Sequence, residues 1–203
     1  MTPPATSMRL PAAERRQALI DTALRVFAEG SYRGTTTAEI AREAGVSEPI
    51  LYRHFESKRD LYFACIGESW RRLRTFWEEA MGSSADPRDW LPAMAACVHA
   101  VKDSKHLVAE FWMQAVIEAG DDAEVRKFLR RHMREVHRYV ADVIRRCQEA
   151  GAVNPERDAE AEAWIFIAGS LLGTMGRRLG GLLDEDDFQR IRNARKSWML
   201  TSP

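Results

Sequence analysis

What the chain lacks narrows its class first. It has only three cysteines in 203 residues, Cys65, Cys97 and Cys147. None forms a Cys-x-x-Cys pair or another metal-ligand spacing. They read as reduced, buried thiols of a cytoplasmic protein. No apolar run approaches the ~18 residues of a membrane-spanning helix. The opening "MTPPATSMRLPAAERR" has no apolar stretch of the secretory type, and residues 1–10 read as a flexible arm. An excess of one charge is also lacking. Thirty basic side chains face thirty acidic ones, and residues 1–60 hold nine Lys and Arg against eight Asp and Glu. Any nucleic-acid surface must come from local placement, because bulk charge gives none.

Catalytic signatures are missing as well. There is no His-Glu-x-x-His, no glycine loop of the phosphate-cradling kind and no nucleophile elbow. The five histidines are scattered. His132 and His137 share one helix but stand about 140° apart around it, poor geometry for a common metal. The reading is of a protein that is not an enzyme, with no cofactor and no metal.

Helical periodicity is what the chain does have, and no stretch alternates as a strand. Ile20, Ala23, Leu24 and Phe27 fall at i, i+3, i+4 and i+7, which predicts an amphipathic helix over 12–29, closed by Gly30. Thr36 followed three residues later by Glu39 matches a capping box and opens a second helix to about Ala44. Gly45 then supplies a turn needing a positive φ. Ser47 caps a short third helix with Pro49 in its first turn, where a missing N–H costs nothing. A long helix is expected over 58–81, "GSSADPRD" is a loop, and patterned segments follow at 89–102, 104–119 (ended by Gly120), 123–150 (ended by Gly151), 158–180 and 186–199. The fold class is all-α, of about nine helices. The expected division is an N-terminal arm and helix-turn-helix unit over 1–57 and a helical body over 58–203.

The second and third helices carry a spacing with a steric reason. Ala41 is small where two helices cross, Gly45 turns the chain, and Leu51 plugs the corner, with Ile40, Val46 and Phe55 completing a shared core. Here "FAEGSYRGTTTAEIAREAGVSEPILYRHFESKRDLY", Phe27 to Tyr62, closely resembles the tetracycline-repressor (TetR) family. The ending Leu-Tyr-x-His-Phe, with Lys58 four residues after His54, is more specific than a generic helix-turn-helix. The resemblance implies a homodimeric regulator of transcription, usually a repressor. Its three-helix unit would read a palindromic operator in double-stranded DNA, and a variable body would bind a small-molecule effector and form the dimer.

Candidate DNA-binding residues follow. Leu51 and Phe55 mark the buried side of the third helix, so Pro49, Ile50, Arg53 and His54 point broadly outward. An outward Arg can pair with guanine, and Ile or Pro can cover a thymine methyl. The resemblance assigns backbone contacts to Thr37, Tyr52, His54 and Lys58, and Thr36 and Ser47 lie at the same surface. Arg9, Arg33 and Arg42 could add phosphate contacts. Glu48 has two readings, a structural one in the first turn and acceptance from a cytosine amine.

In the body, Trp70, Phe111, Trp112, Met133, His137 and Trp164 are candidates for lining an effector site suited to a small apolar or aromatic molecule. Gly169, Gly173, Gly176 and Gly180, spaced 4, 3 and 4, would share a helix face beside Trp164, Ala168, Leu171, Met175 and Leu179. Four glycines on one face suggest close backbone approach, and the resemblance places that face at the dimer interface. The expected mechanism is a shift between two forms that differ in the tilt of helix 58–81, and hence in the separation of two recognition helices. The alternative is a ligand-independent DNA-binding protein of the same fold.

Overall fold

The computed structural model describes residues 11–99 and 104–199. The arm at 1–10, with Arg9, lies outside them. The described chain is helical and contains no strand. Three short elements come first: α1 Ala12–Glu29, α2 Thr37–Glu43 and α3 Glu48–Tyr52. The body follows as α4 Lys58–Gly82, α5 Trp90–His99, α6 Ser104–Asp121, α7 Ala123–Glu149, α8 Ala159–Leu179 and α9 Glu185–Met199.

Local chemistry sets most of these boundaries. Thr36 Oγ1 accepts the Glu39 N–H at 3.1 Å, and Ser57 Oγ does the same for Asp60 at 3.1 Å, so each satisfies an amide that the first turn leaves bare. Asp122 caps α7 through the amides of Glu124 and Val125. Gly45 has φ +67, as the turn between α2 and α3 requires.

Three boundaries differ from the sequence reading. Ser47 holds the N-cap position of α3, but its side chain makes no cap hydrogen bond; its carbonyl alone receives the Ile50 and Leu51 amides. The segment "GSSADPRD" contains a 3-10 turn, Pro87–Asp89, because the Asp86 carboxylate accepts from the Arg88 amide. Gly120 does not end α6, which runs on to Asp121, with Arg126 capping the carbonyls of Ala119 and Gly120.

Two apolar clusters hold the chain. One joins Leu19, Ala23, Leu24 and Phe27 of α1 to Ile40, Ala41, Leu51 and Phe55, then reaches Leu61, Tyr62, Cys65 and Ile66 of α4 and Phe111 and Ala115 of α6. The other fills the far half of the body with Trp77, Met94, Val140, Ile144, Ala163 and Phe166. Burying each such side chain contributes about 1.5–3 kcal/mol. Phe63–Phe128, Trp70–His132 and Trp77–Tyr139 pair in rising order, so α7 runs parallel to α4. Burial pushes the Cys65 thiol well up and the Cys147 thiol up to about 11, which suits inert core thiols rather than reactive ones.

Candidate nucleic-acid interface

The recognition element is only five residues long, so it cannot persist by propensity. It is held from below and from the side. Leu51 is fully buried and Phe55 nearly so, both on the α1–α4 core. From the side, a polar cluster joins α2 to α3. Thr37 Oγ1 donates to Glu48 Oε1 at 2.5 Å and lies 3.1 Å from the Tyr52 hydroxyl. Glu48 therefore has the structural role, with its carboxylate turned to Thr37. Thr37 is 8% exposed, so its hydroxyl is committed inside the unit.

With those groups engaged, the outer surface presents the remaining candidates. Pro49 and Arg53 are exposed, Ile50 and His54 half-buried, and the Tyr52 ring is 46% exposed. The side chains of Arg53 and His54 carry no hydrogen bond or ion pair to any described residue, so their donors are available. Thr36 and Ser47 are exposed at the starts of α2 and α3. Lys58 sits in the first turn of α4 with its ammonium 4.6 Å over the Tyr32 ring. Desolvation lowers its pKa against the opposing pull of Glu118.

Two of the flanking arginines are placed otherwise than for phosphate. Arg33 pairs with Glu118 at 3.1 Å and Asp121 at 3.3 Å, and Glu118 is buried. Arg59 pairs with Asp122 at 3.2 Å. The first ties the reading unit to α6, and the second joins the start of α4 to the start of α7. Arg42 is exposed beside Glu43.

The effector candidates do not form one group. Trp70 and Trp112 both face His132, at ring distances of 6.4 and 5.5 Å, and Tyr139 joins Trp70 at 5.5 Å. Met133 lies beside them in the second cluster. The indole N–H of Trp112 and Nε2 of His132 are buried without a hydrogen-bond partner. Phe111 belongs to the reading unit's core, against Tyr62 at 5.3 Å. His137 and Trp164 stand elsewhere, stacked on each other at 4.1 Å, with His137 Nε2 2.9 Å from the Glu160 carbonyl. His132 was missed as a candidate lining residue, and Tyr139, on the same helix as the candidates Met133 and His137, joins it here. The signal was their 3.6-residue phase with Trp70 across a parallel helix pair, which needs the pairing to be known.

The glycine series divides too. Gly169 is exposed, whereas Gly173 and Gly176 are buried. A Cβ on Gly176 would meet Leu183 of the same chain at 3.6 Å. Gly180 lies beyond α8, with φ +57, so it breaks the helix rather than sharing its face. The outward side of α8 is instead the neighbouring apolar stripe: Trp164, Leu171, Met175 and Leu179 are 47, 40, 41 and 63% exposed, and Leu182 follows at 46%.

A short helix held over a three-helix core, its outer side open and a large helical body behind it, defines a helix-turn-helix protein. Residues 19–65 match the family of bacterial regulatory proteins named for TetR. The regulator BetI of Rhizobium meliloti is 34% identical over 115 residues, 57% of each chain. The activator FasR of Mycolicibacterium smegmatis is 40% identical over 85 residues, 42% of this chain and 39% of that one. The chain thus spans about half the length of the curated relatives it matches. A TetR-family regulator from Rhodococcus superposes with a TM-score of 0.83 at 22% identity, covering 92% of this chain and 99% of that one. A regulator from Saccharomonospora viridis, solved with choline, gives 0.76 at 19% identity, covering 94% and 100%. Residues 19–65 thus match the TetR family's DNA-binding unit, and the described chain shares the fold of TetR-family structures.

Proposed function

We propose that the protein regulates transcription from the cytoplasm as a homodimer on a palindromic operator, usually as a repressor, and that a small apolar or aromatic effector releases it. The observation that carries this is the outer side of α3. The acidic residue there is turned inward to Thr37, while Arg53 and His54 are left with free donors. Arg53, Ile50 and Pro49 are the base readers in this reading; Tyr52, His54 and Lys58 hold the backbone. Residues 1–57 act as the reading unit and 58–203 as the effector and dimer unit.

The effector reading rests on the buried, unpartnered Trp112 N–H, stacked on His132 within the Trp70–Trp112–Tyr139 group. Buried polar atoms without partners are costly, and a ligand could satisfy them. Release would pass through the Arg33–Glu118 link, which binds the reading unit to α6, and through α4, whose start Arg59 holds to Asp122 at the start of α7. Choline, present in one neighbour, is a first compound to test, since aromatic faces attract quaternary ammonium ions.

Selection of genomic fragments by the purified protein tests the proposal. The expected result is an enriched palindrome whose half-sites lie about one helical turn apart. Arg53→Ala should relax one position of each half-site at a cost of about 1–3 kcal/mol. Recovery of no enriched sequence would reject specific regulation.

A further inference from the structure

One face of α7 carries a row of cations that no intramolecular contact explains. Lys127, Arg130, Arg134 and Arg138 are exposed, and among the described residues none forms a hydrogen bond or ion pair with their side chains. At about 100° per residue they fall within roughly 80° of one another. Arg131 lies on the same face, its guanidinium 5.0 Å over the Phe128 ring. Of the acids beside the row on the helix, Glu135 is turned to His132 at 3.2 Å and Asp142 to Arg145 at 2.6 Å, and Glu124, three residues before Lys127, forms no ion pair with it. Like charges three and four residues apart repel, so the row weakens the isolated helix. It stands opposite the side that buries Leu129, Val136 and Val140. In a chain of thirty basic and thirty acidic side chains, this is a local concentration of one sign that an external anion would compensate.

We propose that this stripe is a second DNA surface, which holds the phosphate backbone of duplex flanking the operator against the side of the body. Three features select that occupant. The stripe begins at the reading end of the molecule, because the Arg59–Asp122 pair fixes the start of α7 beside the start of α4 and Lys58. It extends about 16 Å along the helix, a length over which one DNA strand presents roughly five phosphates. A lipid surface fits less well, since an interfacial helix inserts its apolar face and the apolar face of α7 is inside the fold. A second copy of the acidic start of α9 is a poor partner too, because Glu185 and Asp186 already pair with Arg192 and Arg190. The contact would be independent of sequence: it would lengthen the bound segment and steepen salt dependence without reading bases. The proposal rests on the DNA-binding reading above.

The test is the salt dependence of binding to a mixed-sequence duplex of about 60 base pairs, between about 50 and 200 mM salt. Full-length wild type is compared with the quadruple variant Lys127→Gln, Arg130→Gln, Arg134→Gln, Arg138→Gln, and separately with Arg53→Ala, Lys58→Ala. The quadruple variant should fold with unchanged or higher thermal stability, and the slope of log K against log salt should fall by about 3 to 4 per bound protomer. Replacing the three arginines by Lys should restore the slope. An unchanged slope in the quadruple variant overturns the stripe, whatever the Arg53, Lys58 variant does. A slope that falls only in the quadruple variant supports the stripe and removes the phosphate contact assigned to Lys58. Binding that depends on the four cations but goes to phosphatidylserine vesicles, and not to the duplex, overturns the proposal in favour of a membrane.

Discussion

At the scale of single residues, Glu48 shows how a side chain on a reading helix can serve the fold alone. Its carboxylate accepts from Thr37, and Thr37 is also in contact with the Tyr52 hydroxyl, so one small network fixes the orientation of α3 on α2. Glu48→Gln keeps an acceptor for Thr37 and is expected to leave both thermal stability and the selected DNA sequence unchanged. Glu48→Ala should cost about 1 kcal/mol. A shifted base preference in Glu48→Gln would show that the residue reads DNA after all. Helical phase made the inward turn of Glu48 legible in the sequence; its partner was not, because Thr37 lies eleven positions away across a turn. His132 gives a second expectation. Desolvation lowers its pKa, with Glu135 opposing, so the unfolded chain takes up a proton more readily than the folded one. The stability tied to His132 is therefore complete above about pH 6.5 and is lost as pH falls through the lower folded value. Melting curves between about pH 5 and 7.5 should show this fall in wild type and a flatter profile in His132→Gln; parallel profiles would dismiss it.

At the scale of elements, the two serines that open α3 and α4 look alike in sequence and differ in space. Ser57 accepts the Asp60 amide, and Ser47 makes no such bond. Ser57→Ala should lower stability by about 1 kcal/mol, whereas Ser47→Ala should change it by a few tenths. Equal losses in thermal melts would refute the distinction. The helices themselves were legible because apolar residues recur at 3.6 and glycines mark their ends. Gly120 misled because its neighbours, capped by Arg126, let α6 continue. The links from Arg33 and Arg59 to α6 and α7 could not be read, since neither spacing nor motif relates Arg33 to Glu118, 85 residues on.

At the scale of the whole molecule, the question is which face meets a second copy. Glycine spacing pointed to α8, and α8 does carry an outward apolar side, but the glycines do not make it. Gly173 and Gly176 turn inward, Gly176 toward Leu183, and Gly180 leaves the helix. Gly176 packs against Leu183 within the subunit, a contact that a single sequence cannot tell from packing between two subunits. Trp164, Leu171, Met175, Leu179 and Leu182 form the row left in solvent, and contiguous exposed apolar surface of this kind marks an interaction site. On the function proposed above, a dimer would be the occupant, because the half-site symmetry of a palindromic operator mirrors protein symmetry. Leu171→Glu would place an unpaired carboxylate in the middle of that row, where burial without a partner is strongly unfavourable. The expected outcome is a shift from dimer to monomer in sedimentation, with the helical signal retained because Leu171 supports no internal cluster. Operator affinity should fall with it, since each half-site would then be held alone. A Leu171→Glu protein that sediments as a dimer would move the interface off this face of α8.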